Sequence, residues 1–142
     1  MKIKFLQKIA SVTLGAILLF NTFSTAYAVL PIKFGVAVPV VSPNPYNEFS
    51  NIPLELSFHY DNLTKNANGT AKVYEPLNNK EVANWNFPLN TFSGTGDKIL
   101  TWNIVDGFYK NAPILPGKNY TFRVFLQDGA ATYDQQTKFE IM

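Results

Sequence analysis

The sequence predicts an all-β fold, with two antiparallel sheets packed face to face as a sandwich of about seven strands. Three observations carry that reading. Short runs of alternating apolar residues recur between turn signals along the chain. Beyond the first 28 residues, no segment keeps a helical apolar period for more than about two turns. Finally, Pro116-Gly117 opens a long aromatic and β-branched run in which Tyr120, Phe122, Val124 and Leu126 share one face. The other face of that run, Thr121, Arg123, Phe125 and Gln127, is mixed rather than purely polar.

In chain order, residues 1–28 read as a signal peptide rather than as part of the fold. Lys2, Lys4 and Lys8 supply a positive start, residues 9–20 are apolar, and Ala26-Tyr27-Ala28 is a small-residue cleavage site. The apolar run falls short of the roughly 20 residues a spanning helix needs, so no membrane span is expected after cleavage. The expected address is the periplasm or the extracellular space.

Residues 29–142 then form one expected domain of about 114 residues, enough to bury a core without staples. The first expected strand covers 32–41, with Ile32, Phe34, Val36, Val38 and Val40 on one face and Pro39 marking it as an edge. Residues 54–60 alternate cleanly and make the second. A polar loop follows, ending in a turn at Asn68-Gly69. Residues 70–74 and 82–87 give two more strands, the latter with Trp85 and Phe87 on one face. A Gly/Ser/Thr loop over 90–97 leads to a strand at 99–105 carrying Leu100 and Trp102. A longer connection at 106–118 precedes the run through 120–126, and a last strand ends at Ile141, starting at Tyr133 or Thr137.

Charge narrows the partners. Lys2, Lys4 and Lys8 account for three of the 12 basic residues, leaving nine against 10 acidic in the expected mature chain. With no basic patch, nucleic acid and anionic membrane surfaces are poor candidates. There is no cysteine, so export here does not bring disulfides. Three Asn-x-Thr sequons begin at Asn62, Asn68 and Asn119, a pattern that an Asn-rich sequence produces by chance.

Leu115-Pro116-Gly117 followed by Tyr120-Thr121-Phe122-Arg123-Val124 resembles the corner and following strand of fibronectin type III and related bacterial immunoglobulin-like domains. The resemblance implies an immunoglobulin-like, fibronectin type III-like sandwich in which Tyr120 is the structural tyrosine corner, its hydroxyl bonded to backbone upstream. The stretch 70–129 also resembles the immunoglobulin-like module of the flagellar hook-capping protein, with Thr101-Trp102-Asn103 on the matching strand. A weaker likeness is to small periplasmic copper-carrier sandwiches. Their ligands are missing, since the expected mature N-terminus is Val29 and Ala130 stands where that family would have His.

Chemistry is sparse. His59 is the single histidine, on the outward face of the second strand, with no acid or nucleophile supplied locally. With that one His and no Cys, zinc or copper ligation is not expected. The acidic residues lie scattered, and Asp97, Asp106 and Asp128 beside glycines read as turn formers rather than calcium ligands. No catalytic residue, metal or cofactor is therefore assigned. The remaining candidates are aromatics in expected loops, Phe92, Phe108 and Tyr109, offered as partner-binding residues. The expectation is an exported, non-enzymatic binding or structural module whose partner is another envelope or extracellular protein. The alternative is a carbohydrate-binding accessory module using loop aromatics on a glycan.

Overall fold

The computed structural model describes residues 35–142. The expected signal peptide over 1–28 and the start of the expected first strand, residues 32–34, lie outside them.

Strand formation follows the alternation of apolar side chains. In β2 (Leu54–Leu63), Leu54, Leu56 and Phe58 are buried while Glu55 and His59 face solvent. In β8 (Gly117–Asp128), Tyr120, Phe122, Val124 and Leu126 are buried on one face. Each such side chain removed from water is worth about 1.5–3 kcal/mol, enough to fix which face turns inward. The other strands are β1 (Val40–Ser42), β3 (Asn68–Tyr74), β4 (Glu81–Phe87), β5 (Gly94–Trp102), β6 (Phe108–Tyr109), β7 (Ala112–Pro113) and β9 (Ala131–Ile141).

Three strands pair antiparallel in the order β1-β2-β5 and four in the order β4-β3-β8-β9. The inward faces of these two sheets supply one buried cluster, with Leu54, Leu56, Phe58 and Trp102 from the first and Val73, Tyr120, Phe122, Val124 and Leu126 from the second. The arrangement is an all-β, antiparallel sandwich, and the described residues contain no helix. β6 and β7 form a small separate hairpin.

Four details of the sequence reading change. The expected first strand is shorter and does not keep one face. Val36 pairs with Tyr60 and Val40 with Ser57, which leaves one more residue on this strand than on β2 between the two pairings. The extra residue reverses the facing, so Val36 and Val41 are buried while Val38 and Val40 are exposed.

Asn68-Gly69 is not a turn but the start of β3; the turn lies just before it, closed by Ala67 N–H donating to Thr64 O at 3.1 Å. Glycine is needed at 69 because a Cβ there would collide with the backbone carbonyl of Phe125 on the neighbouring strand. The expected loop at 90–97 is partly strand, since β5 begins at Gly94. Its small polar residues suit a sheet edge with one face in solvent. The connection at 106–118 carries the β6–β7 hairpin, turned by Lys110 and Asn111 at φ 47° and 67°. Two successive positive φ values match the twist of a two-residue hairpin loop.

Candidate functional site

The strand pairings define two ends. Leu54 opposite Trp102 marks one, where the connections 43–53, 75–80 and 103–116 meet. Leu63 opposite Gly94 marks the other, with the connections 64–67, 88–93 and 129–130.

The first end is built on aromatic contacts. Trp102 is fully buried, with the ring of Tyr109 at 5.8 Å and that of Phe139 at 6.3 Å, both edge-on. Phe139 lies in turn 5.6 Å from Tyr120, whose hydroxyl donates to Leu115 O at 2.6 Å. These contacts hold the 103–116 connection from beneath. Ile114 N–H donates to Gly107 O at 2.7 Å, and Val105 and Phe108 exchange backbone hydrogen bonds at 2.9 Å. These backbone bonds brace the loop, which exposes Val105, Phe108 and Leu115 alongside the polar Asn103, Asp106, Lys110 and Asn111.

Phe49, Ile52, Leu77, Val105, Phe108 and Leu115 are all exposed at this end. Phe49 reaches the 103–116 connection, its ring edge 3.5 Å from where a Gly107 Cβ would stand. Ile52 and Val105 line a shared notch of about 250 Å³ together with Pro53, Ile104 and the polar Asn51 and Asn103. Tyr46 shapes the approach by donating its hydroxyl to Ile52 O at 2.9 Å.

Beneath this surface lies Glu48, 5 % exposed and the one charged side chain buried among the described residues. Its Oε2, near Gly107, has no hydrogen-bond partner, and neither does the indole N–H of Trp102. Burial pushes the Tyr120 phenol up to about 12, reinforced by the charges of Glu75 and Glu48. This end thus combines exposed apolar side chains with two buried polar atoms that make no hydrogen bond within the protein.

The structure divides the aromatics singled out from sequence. Phe108 is 51 % exposed, and Tyr109, next in the chain, turns inward against Trp102 with Lys110 Nζ 5.2 Å from its ring centre. Phe92 is a correction. It is 1 % exposed at the opposite end, wedged among Phe58, Tyr60 and Phe87 at centroid distances of 6.2, 5.0 and 5.4 Å. The loop folds inward because the gap between the sheets there needs a large ring, so Phe92 is core and not a contact residue.

His59 also changes. An acid does face it, since the register sets it opposite Asp97 with Nδ1 2.8 Å from Oδ1. The pair is 51 % and 71 % exposed, on an open sheet face rather than in a cleft. Asp128 accepts from the Thr64 backbone N–H at 2.8 Å and from its hydroxyl, which holds this carboxyl below the usual range. Among the described residues, no group of three or more His, Asp or Glu is placed to hold a metal ion. Among them, too, no helix is long and apolar enough to cross a membrane.

Of the exposed residues missed in the sequence, Val105 had a readable signal, being out of phase with buried Leu100, Trp102 and Ile104; Ile52 keeps the phase of Leu54 and Leu56, and Phe49 lies in a loop with no strand phase. No family model, curated protein or solved structure matches the chain.

Proposed function

We propose that this protein is a non-enzymatic, exported binding module of the immunoglobulin-like, fibronectin type III-like class. Its apolar end contacts another envelope or extracellular protein. The order β1-β2-β5 against β4-β3-β8-β9 supports the fold type, as does the Tyr120 hydroxyl on Leu115 O. The leader-like start of the chain supports export.

One observation carries the functional reading. Phe49, Ile52, Val105 and Phe108 stand in water, Val105 and Phe108 on a turn closed by their own pair of backbone hydrogen bonds, with the Phe49 N–H held by Asn47 Oδ1 and the Ile52 carbonyl by the Tyr46 hydroxyl. Apolar surface gathered in this way marks an interface.

The test mixes purified protein with cell-envelope material from its source. Retention is measured before and after protease treatment of that material, for the native chain and for a Val105→Asp/Phe108→Asp double variant. The reading requires retention that protease abolishes and that the double variant loses. Retention by the double variant equal to native would overturn it.

A further inference from the structure

The outer face of the four-stranded sheet is a second surface, remote in character from the apolar end. Register places Asn84, Lys72, Arg123 and Gln136 side by side across β4, β3, β8 and β9. Phe125 is one row to one side of them, and Tyr74 lies in the row on the other. Lys72, Arg123 and both aromatics, with Thr70, line a groove of about 280 Å³. That is near the lower limit of small-molecule sites and fits a ligand laid along the surface better than one enclosed.

The charges decide what such a ligand is. Arg123 Nε donates to Asp134 Oδ1 at 2.8 Å and a terminal guanidinium N–H donates to Asp134 Oδ2. Lys72 Nζ lies 3.6 Å from Glu81 Oε2. Each cation of the groove lining is matched by a carboxylate, so the lining itself carries little net charge to attract phosphate, sulfate or a uronic acid; Lys138, opposite Thr121 in the Tyr74 row, lies outside these pairs.

What it offers is a floor of neutral hydrogen-bonding capacity. Arg123 keeps donors that Asp134 does not use, Asp134 keeps acceptor sites, and the side-chain amides of Asn84 and Gln136 supply both kinds. Phe125, at 38 % exposure, and half-buried Tyr74 stand at backbone positions four residues apart along the strands, about 13 Å, with the Tyr74 phenol reaching toward the Arg123 guanidinium. Paired donors and acceptors beside two aromatic rings match the hydroxyls and apolar ring faces of a sugar chain.

We propose that this sheet face binds a neutral oligosaccharide, through stacking on Tyr74 and Phe125 and hydrogen bonds to Arg123, Asp134 and the flanking amides. This site is separate from the apolar end, and neither depends on the other.

The experiment records amide chemical shifts while cello-, xylo-, malto- and N-acetylchito-hexaose are added in turn. Oligogalacturonate and a heparin hexasaccharide serve as acidic probes. The expected result is saturable shifts from at least one neutral probe, confined to β3, β4, β8 and β9, with affinity falling about tenfold or more in Tyr74→Ala and in Phe125→Ala. Arg123→Gln weakens binding in the same direction. Phe108→Ala leaves it unchanged, which separates this site from the apolar end. Melting curves check that each variant is folded, and the three replaced residues offer independent routes if one is not. The proposal is overturned by no response to any neutral probe at millimolar concentration, by a response to acidic probes alone, or by binding that survives both aromatic replacements.

Discussion

The two ends of the sandwich are both made of connections between antiparallel strands, longer at the end marked by Trp102 than at the end marked by Leu63 and Gly94, and they finish in opposite ways. At the end marked by Leu63 and Gly94, hydrogen bonds tie the loops and strand ends to each other. Thr64 is bound to Asp128, the Thr95 hydroxyl donates to Asp61 at 2.7 Å, and Asn62 N–H donates to Thr95 Oγ1 at 3.0 Å. Asn90 N–H donates to Lys65 O at 2.8 Å, and Phe92 fills the interior behind them. Leu89 is the exposed large apolar residue there.

At the end marked by Trp102, the loops are held from below by aromatic rings, and their apolar side chains point out. One end is closed by polar cross-links, and the other is anchored by rings and exposes large apolar side chains among its polar ones. On the proposed reading, the difference separates residues kept for stability from residues kept for contact.

That separation yields predictions, the largest being Phe92→Ala. It empties a ring-sized space in the core and costs about 3–5 kcal/mol in denaturant unfolding, while envelope retention per folded molecule stays native. Next is Tyr120→Phe, which removes the hydroxyl bonded to Leu115 O and costs about 1 kcal/mol.

The Tyr120 phenol supplies a pH test as well. Because its folded value is raised to about 12 from 10.0, its contribution is present below pH 10 and is lost as pH rises through 12. Absorbance of phenolate should show this tyrosine titrating late, together with unfolding.

Smaller still is Thr64→Val at the polar end. The Asp128 carboxyl is held below its ordinary 3.8, so the clamp stabilises above that value and fails as pH falls through the lowered folded value. Carboxyl chemical shifts should return Asp128 toward 3.8 in the variant. Smallest for stability is Phe108→Ala, within about 0.5 kcal/mol of native, yet it weakens retention. Phe92→Ala and Phe108→Ala thus form a crossed pair, and a result with both effects in one variant would break the comparison.

How far the sequence could be read follows from what is local in it. β2 and β8 were legible because alternation is a property of neighbouring residues, and the two-layer, all-β arrangement follows from such strands. The facing of the first strand was not legible, because the reversal between Val36 and Val40 depends on a register with β2. Phe92 misled because one aromatic in a Gly/Ser/Thr stretch has no phase of its own. Whether it fills the core depends on Phe58, Tyr60 and Phe87, which reach it only after folding. The His59–Asp97 pair is likewise a product of register. On the sheet face a signal did exist, in that Phe125 breaks the polar phase of its strand, but its partner Tyr74 lies on another strand. Phe108, like Phe92, lies in a turn-rich connection from which exposure is not legible, and the structure leaves it exposed where it buries Phe92.

The most direct test of the apolar end places a photo-crosslinking amino acid at Val105 in one sample and at Leu89 in another. Both positions are exposed and apolar, at opposite ends of the sandwich. Irradiation in the presence of envelope material should join the protein to one discrete protein partner from position 105 and to none from position 89. Equal crosslinking from both positions, or crosslinking from 89 alone, would contradict the assignment of the apolar end as the contact surface.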